Sequence, residues 1–144
     1  MLEGVIDMSL SEDGVSYALR YEERNGREPR DVSRGRKFPG IDIISFDGEG
    51  DFRSIEVKAT KGSGIPDAFE TEFTRQLKFV ATHLYVVRFK RGGGFDSLHV
   101  VPKKVIDQYS TPDKHGTAHR IVQHIKFASG LMNRIARGEF QEAG

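Results

Sequence analysis

The chain contains no cysteine, which excludes disulfide staples and thiolate zinc sites and fits an intracellular, cytoplasmic protein. It also lacks a basic start followed by a long apolar run. Met1-Leu2-Glu3-Gly4-Val5-Ile6-Asp7 does not read as an export signal, and no stretch approaches the ~20 apolar residues of a membrane span. A soluble protein with no membrane partner is expected. Internal repeats and low-complexity tracts are missing as well. The 144 residues suffice for one sizeable core and leave little room for a second, so a single domain over residues 1–144 is expected.

An excess of either charge is absent overall, the formal net charge being +1. The distribution is uneven, however. Residues 1–31 hold eight acids against four arginines, whereas residues 74–104 carry Arg75, Lys78, Arg88, Lys90, Arg91, Lys103 and Lys104 against Asp96 alone. Such a basic stretch favours a polyanion on that part of the surface, although any single lysine or arginine there serves equally well to solvate a helix or strand.

Ser11 can cap a helix over residues 12–25, with Val15, Ala18 and Leu19 on one stripe and Gly26 as a stop. Glu22 extends that stripe and faces inward near the helix end, as either a site residue or, the favoured reading, an acid that reaches solvent past the last turn. A short strand is expected near Arg30-Asp31-Val32. Residues 40–46 and 52–59 read as further strands, joined by Asp47-Gly48-Glu49-Gly50, a hairpin signal that makes them antiparallel neighbours whose paired residue numbers sum to about 97–98. After a glycine-bearing linker, Asp67 is expected to begin a helix on which Phe69, Phe73, Leu77 and Val80 form a stripe. Residues 84–89 and 97–101 read as strands, and Pro102 introduces a short helix over 103–109. Ile121, Ile125, Ala128, Met132 and Ile135 trace a long final helix, weakened at Ser129-Gly130.

Chemistry concentrates in the hairpin. Strand side chains alternate, so Ile55 and Val57 can enter the core while Ser54, Glu56 and Lys58 share the opposite face. The hairpin register puts Asp42 opposite Ile55 or Glu56. Two carboxylates and an ammonium within a few ångströms repel one another unless a cation or an anionic substrate compensates. An isolated Glu-x-Lys on a strand is usually a solvent-facing ion pair, but here it stands beside Gly40-Ile41-Asp42.

Pro39-Gly40-Ile41-Asp42-Ile43, the Ile55-Glu56-Val57-Lys58 strand, a preceding helix ending Leu19-Arg20-Tyr21-Glu22, the Thr74-Arg75-Gln76-Leu77 segment and the Leu84-Tyr85-Val86-Val87 strand follow an order that resembles the PD-(D/E)XK nuclease superfamily, in particular an uncharacterised branch related to Mrr-type restriction enzymes. The resemblance implies a three-layer α-β-α restriction-endonuclease-like fold of the α/β class with a mixed central sheet, its core at about residues 11–101 and a C-terminal helical extension at about 102–144. It also implies a Mg²⁺- or Mn²⁺-dependent nuclease acting on DNA, in restriction or repair. Asp42, Glu56 and Lys58 would be catalytic, and Asp42, Glu56 and the Val57 carbonyl would hold the metal. Many relatives place a glutamate early in the first helix; the comparable stretch here reads Gly14-Val15-Ser16-Tyr17, and Glu12 or Glu22 is the nearest substitute.

Lys61, Arg75, Lys78, Lys90 and Arg91 are candidate DNA contacts, with Phe89 and Phe95 either close to the substrate or packed in the fold. Tyr17 and Tyr21 read as packing residues. His115, His119 and His124 offer too few certain ligands for zinc. The competing expectation is a nucleic-acid-binding or assembly module that keeps the fold without cutting. Partners expected beyond DNA are a second copy of the chain and a larger restriction or repair assembly.

Overall fold

The computed structural model describes residues 2–34, 41–61, 70–74, 81–108, 110–112, 122–126 and 129–142. For residues 2–9, 70–74, 110–112, 122–126, 129 and 132 the description is of the backbone alone. Helix α1 spans Leu2–Arg24. It starts well before Ser11, which lies inside the helix and does not cap it. Gly26 stops it as the sequence predicts: at φ +76° it lets Arg27 donate its N–H back to the Glu22 carbonyl at 3.0 Å, a closure that satisfies a carbonyl otherwise left open at the helix end.

The main sheet has six strands in the order β1 (Glu28–Asp31), β2 (Ile43–Phe46), β3 (Phe52–Lys61), β5 (His83–Phe89), β6 (Phe95–Pro102) and β9 (Gln141–Glu142). Only β3 and β5 run parallel; the other neighbours are antiparallel. Pro29 fits on β1 because an edge strand can spare a backbone donor. The β2–β3 hairpin has the register that its turn predicts, with Ile43 opposite Ile55 and Phe46 opposite Phe52. Asp47 holds the turn through Oδ1, which accepts the N–H groups of Glu49 and Asp51 at 2.9 and 2.7 Å.

Side-chain alternation sorts the sheet into two packed faces. Ile43, Ile55, Val57, Tyr85, Val87, Phe89 and Leu98 lie against Val15 and Ala18 of α1. Leu84, Val86 and Val101 face the other way and pack with Val105 and Ile106 of α2 (Lys103–Gln108) and Leu131 and Ile135 of α3 (Ser129–Ala136). Each buried Val, Leu or Ile contributes about 1.5–3 kcal/mol relative to exposure, enough for two side chains to hold the short α2 in place. Helices therefore cover both faces of a mixed sheet. No helix among the described residues is long and apolar enough to cross a membrane.

Two sequence expectations are corrected. Residues 70–74, predicted as helix, form strand β4 (Glu70–Thr74), while 67–69 and 75–80 lie outside the described residues. The predicted long final helix is replaced in its first half by β8 (Val122–Lys126), which pairs with β4 and with β7 (Ser110–Pro112) in a separate three-stranded sheet, while its last part is the helix α3. The region after residue 102 is thus a mixture of strand and helix, and its β9 extends the main sheet. Pairing between distant segments prevailed over a local helical period in both places.

Candidate active site at the end of strand β2

Asp42 is held where β2 begins. Its N–H donates to the Ile55 carbonyl at 2.8 Å and its own carbonyl accepts the Val32 N–H at 2.9 Å. Its Oδ2 accepts the Val57 N–H at 2.8 Å. The carboxylate thus takes over a β3 donor for which β2 supplies no residue. The paired register ends at Ile43 opposite Ile55; Asp42, one residue earlier, bonds to Ile55 and Val57 on either side of Glu56 and is close enough for its charge to act on that glutamate.

Glu56 and Lys58 project from the face of β3 turned away from α1, in line with Leu84 and Val86 of β5. Glu56 is 7% exposed. Its Oε1 lies 3.4 Å from the Lys58 Nζ, and its Oε2 has no hydrogen-bond partner among the described residues. Burial pushes the Glu56 pKa up to about 8, the Asp42 charge adds to the rise, and Lys58 opposes it. Burial also raises Asp42, against the pull of the Val57 N–H and Lys58 and with a further push from Asp31. Without a cation, Glu56 is mostly protonated at neutral pH.

A cavity of about 620 Å³ opens beside Asp42, lined by Glu12, Asp13 and Ser16 of α1 together with Asp31 and Arg34. Of the two helix glutamates considered from sequence, Glu12 reaches this cavity. Glu22 does not, and the expectation that it reaches solvent is also corrected: it is fully buried at the opposite end of α1, 3.4 Å from Arg27 and 3.8 Å from Arg53. Asp13 and Asp31 were not singled out from sequence. Asp31 could have been found from the β1 strand, whose extension through Val32 runs beside Asp42.

Lys61 at the end of β3 pairs with Phe89, next to the exposed Lys90 and Arg91 of the β5–β6 turn. Three of the five candidate DNA contacts therefore share one end of the sheet. Arg75 and Lys78 lie outside the described residues, as do His115 and His119. Phe95 stacks on Tyr17 with ring centroids 4.7 Å apart, and Phe89 meets the same ring edge-on at 5.5 Å. Both phenylalanines are thus packing residues, and Tyr17 with them. Tyr21 likewise packs edge-on against Tyr85.

The donors suit a hard divalent cation that keeps most of its waters and takes one or two carboxylates: two acids side by side, one bearing a buried oxygen without a partner. Among the described residues no group of three His, Cys, Asp or Glu side chains converges to hold a metal. Comparison of the chain with protein-family models and with curated proteins gives no match.

Proposed function

We propose that the chain is a metal-dependent nuclease that hydrolyses DNA phosphodiester bonds, with a restriction-endonuclease-like core. The observation that carries this reading is Asp42, its carboxylate fixed by the Val57 N–H and its charge acting on Glu56, with Lys58 3.4 Å from the glutamate, on a helix-flanked mixed sheet in which the hairpin strand runs parallel to β5. Asp42 and Glu56 would hold Mg²⁺ or Mn²⁺, assisted by the Val57 carbonyl, which shares the β2-facing side of β3 with the N–H bound to Asp42. When bound, the metal supplies a more acidic water and offsets charge on the phosphate. Lys58 then orients the nucleophile or stabilises the same charge. Val57 fixes the Asp42 carboxylate through its N–H, and Lys61, Lys90 and Arg91 supply positive charge for the DNA backbone.

The test is cutting of plasmid, linear and branched DNA in Mg²⁺ or Mn²⁺ by the wild type, Glu56→Ala and Lys58→Ala. Each variant is expected to lose on the order of a hundredfold or more in rate while still binding DNA. Cutting by Glu56→Ala at the wild-type rate would sink the proposal.

A second reading, a nucleic-acid-binding or assembly module that does not cut, draws on the basic end of the sheet at Lys61, Lys90 and Arg91, which needs no metal to meet a polyanion. DNA binding by the wild type without any cutting or divalent-metal binding selects it. In the nuclease reading, double-strand cutting by a protomer with one site calls for a second copy of the chain, and choosing a target calls for more surface than this domain offers, as in a larger restriction or repair assembly.

A further inference from the structure

The exposed charges of α1 are sorted along its length. Glu12 and Asp13, near its middle, line the cavity beside Asp42, whereas Arg20 and Arg24 follow about two and three turns further on. Together with Tyr17 and Glu23, these arginines border a second cavity of about 460 Å³. Arg20 and Arg24, four residues apart, lie on one side of the helix, and both are exposed. The Arg20 guanidinium lies over the Tyr17 ring, 5.1 Å from its centroid. Such a contact uses the flat face of the guanidinium and leaves its in-plane N–H groups open to an acceptor. Among the described residues neither arginine side chain bonds an acceptor or pairs with an acid.

Tyr17 joins this cavity to the basic end of the sheet. Its ring stacks on Phe95 and meets Phe89 edge-on, and those two phenylalanines pair at the foot of the turn that carries Lys90 and Arg91. Lys61 pairs with Phe89 from the other side. The acids nearby are Glu23 at the cavity rim, Asp96, whose charge acts on His99, and Glu142, whose charge acts on Tyr21. Arg20, Arg24, Lys61, Lys90 and Arg91 outnumber them, so the surface around this aromatic group keeps an excess of positive charge.

We propose that Arg20 and Arg24 extend the basic end of the sheet into a track along which the sugar-phosphate backbone of DNA passes over α1. The choice of partner rests on the nuclease reading. DNA fits better than an acidic peptide because its backbone is evenly charged over a length that meets the turn and both arginines at once. The two guanidinium forks suit phosphate oxygens, and contacts of this kind position the duplex without selecting its sequence.

The full-length protein, free of divalent metal, is titrated with a fluorescent DNA duplex over a range of salt concentrations, alongside the double variant Arg20→Gln/Arg24→Gln and the single variant Glu23→Gln. Glutamine keeps the helix propensity of these exposed positions, and circular dichroism checks the fold. The double variant is expected to bind about tenfold more weakly and to flatten the slope of log affinity against log salt by about 2. Glu23→Gln, which removes an acid from the track, is expected to bind more tightly. No DNA binding by the wild type, or wild-type affinity and slope in the double variant, overturns the track. Binding of poly-glutamate as tight as that of DNA, and weakened by the same double variant, overturns DNA as the partner. If the wild type cuts DNA in Mg²⁺ while the double variant binds it normally, the track alone falls. Weakened binding in the double variant with no cutting by the wild type sustains the track and counts against the nuclease reading.

Discussion

Glu56 carries the sharpest consequence at the scale of single residues. Its pKa rises from 4.5 to about 8 in the fold, so between those values the folded protein keeps a proton that the unfolded chain releases. Folding stability from this group is complete below pH 4.5 and is lost as pH rises to about 8, a loss on the order of 5 kcal/mol at most. Glu56→Gln keeps the neutral form at every pH. Its melting temperature should exceed that of the wild type by several degrees near about pH 9 in the absence of metal, with the gap closing toward about pH 5. A gap that does not change with pH would contradict the assignment. Mg²⁺ should reverse the order at the higher pH, since a cation that binds only the folded wild type stabilises it by mass action.

Between elements, two contacts decide how α1 sits on the sheet. Gly14 leaves no room for a side chain: a Cβ there would stand 2.9 Å from the Ala59 Cβ on β3. Alanine would gain about 1 kcal/mol of helix propensity, but overpacking costs typically 1–3 kcal/mol. Gly14→Ala should therefore lower the urea midpoint; a raised midpoint would show that the helix shifts at no cost. Arg27 joins the other end of α1 to the hairpin. It donates to Asp51 Oδ2 at 2.8 Å and Ser45 Oγ at 3.0 Å and lies 3.4 Å from buried Glu22. Arg27→Ala would strand that glutamate with Arg53 at 3.8 Å and should cost about 3 kcal/mol in urea unfolding; a change under about 1 kcal/mol would mean that the pairing is incidental. The hairpin was legible in the sequence because Asp47 and Gly50 define their turn locally, and that register sets Asp42 beside Glu56. The burial of Glu22 was not, because one of its two partners, Arg53, comes from β3. Segments 70–74 and 122–126 were misread for a related reason: five residues carry too little period to separate strand from helix, and here each strand's partner is remote in sequence, with Glu70 opposite Lys126.

For the whole molecule, the proposed activity requires that a single site on a small domain meet a two-stranded substrate. If two copies act together, linearisation of a plasmid should rise more steeply than in proportion to protein concentration while nicking rises in proportion; linearisation that stays proportional would point to one protomer cutting both strands in turn. The order α1, β1, β2, β3 and then a parallel β5 brings the acids, Lys58 and the basic end near Lys61, Lys90 and Arg91 onto one sheet, so the site depends on the architecture and not on one loop. The most direct measurement is the anomalous scattering of Mn²⁺ in a crystal of the wild-type protein. The proposed metal site requires a peak between the carboxylates of Asp42 and Glu56 that disappears in Glu56→Gln. A peak elsewhere, or none at saturating Mn²⁺, would contradict it.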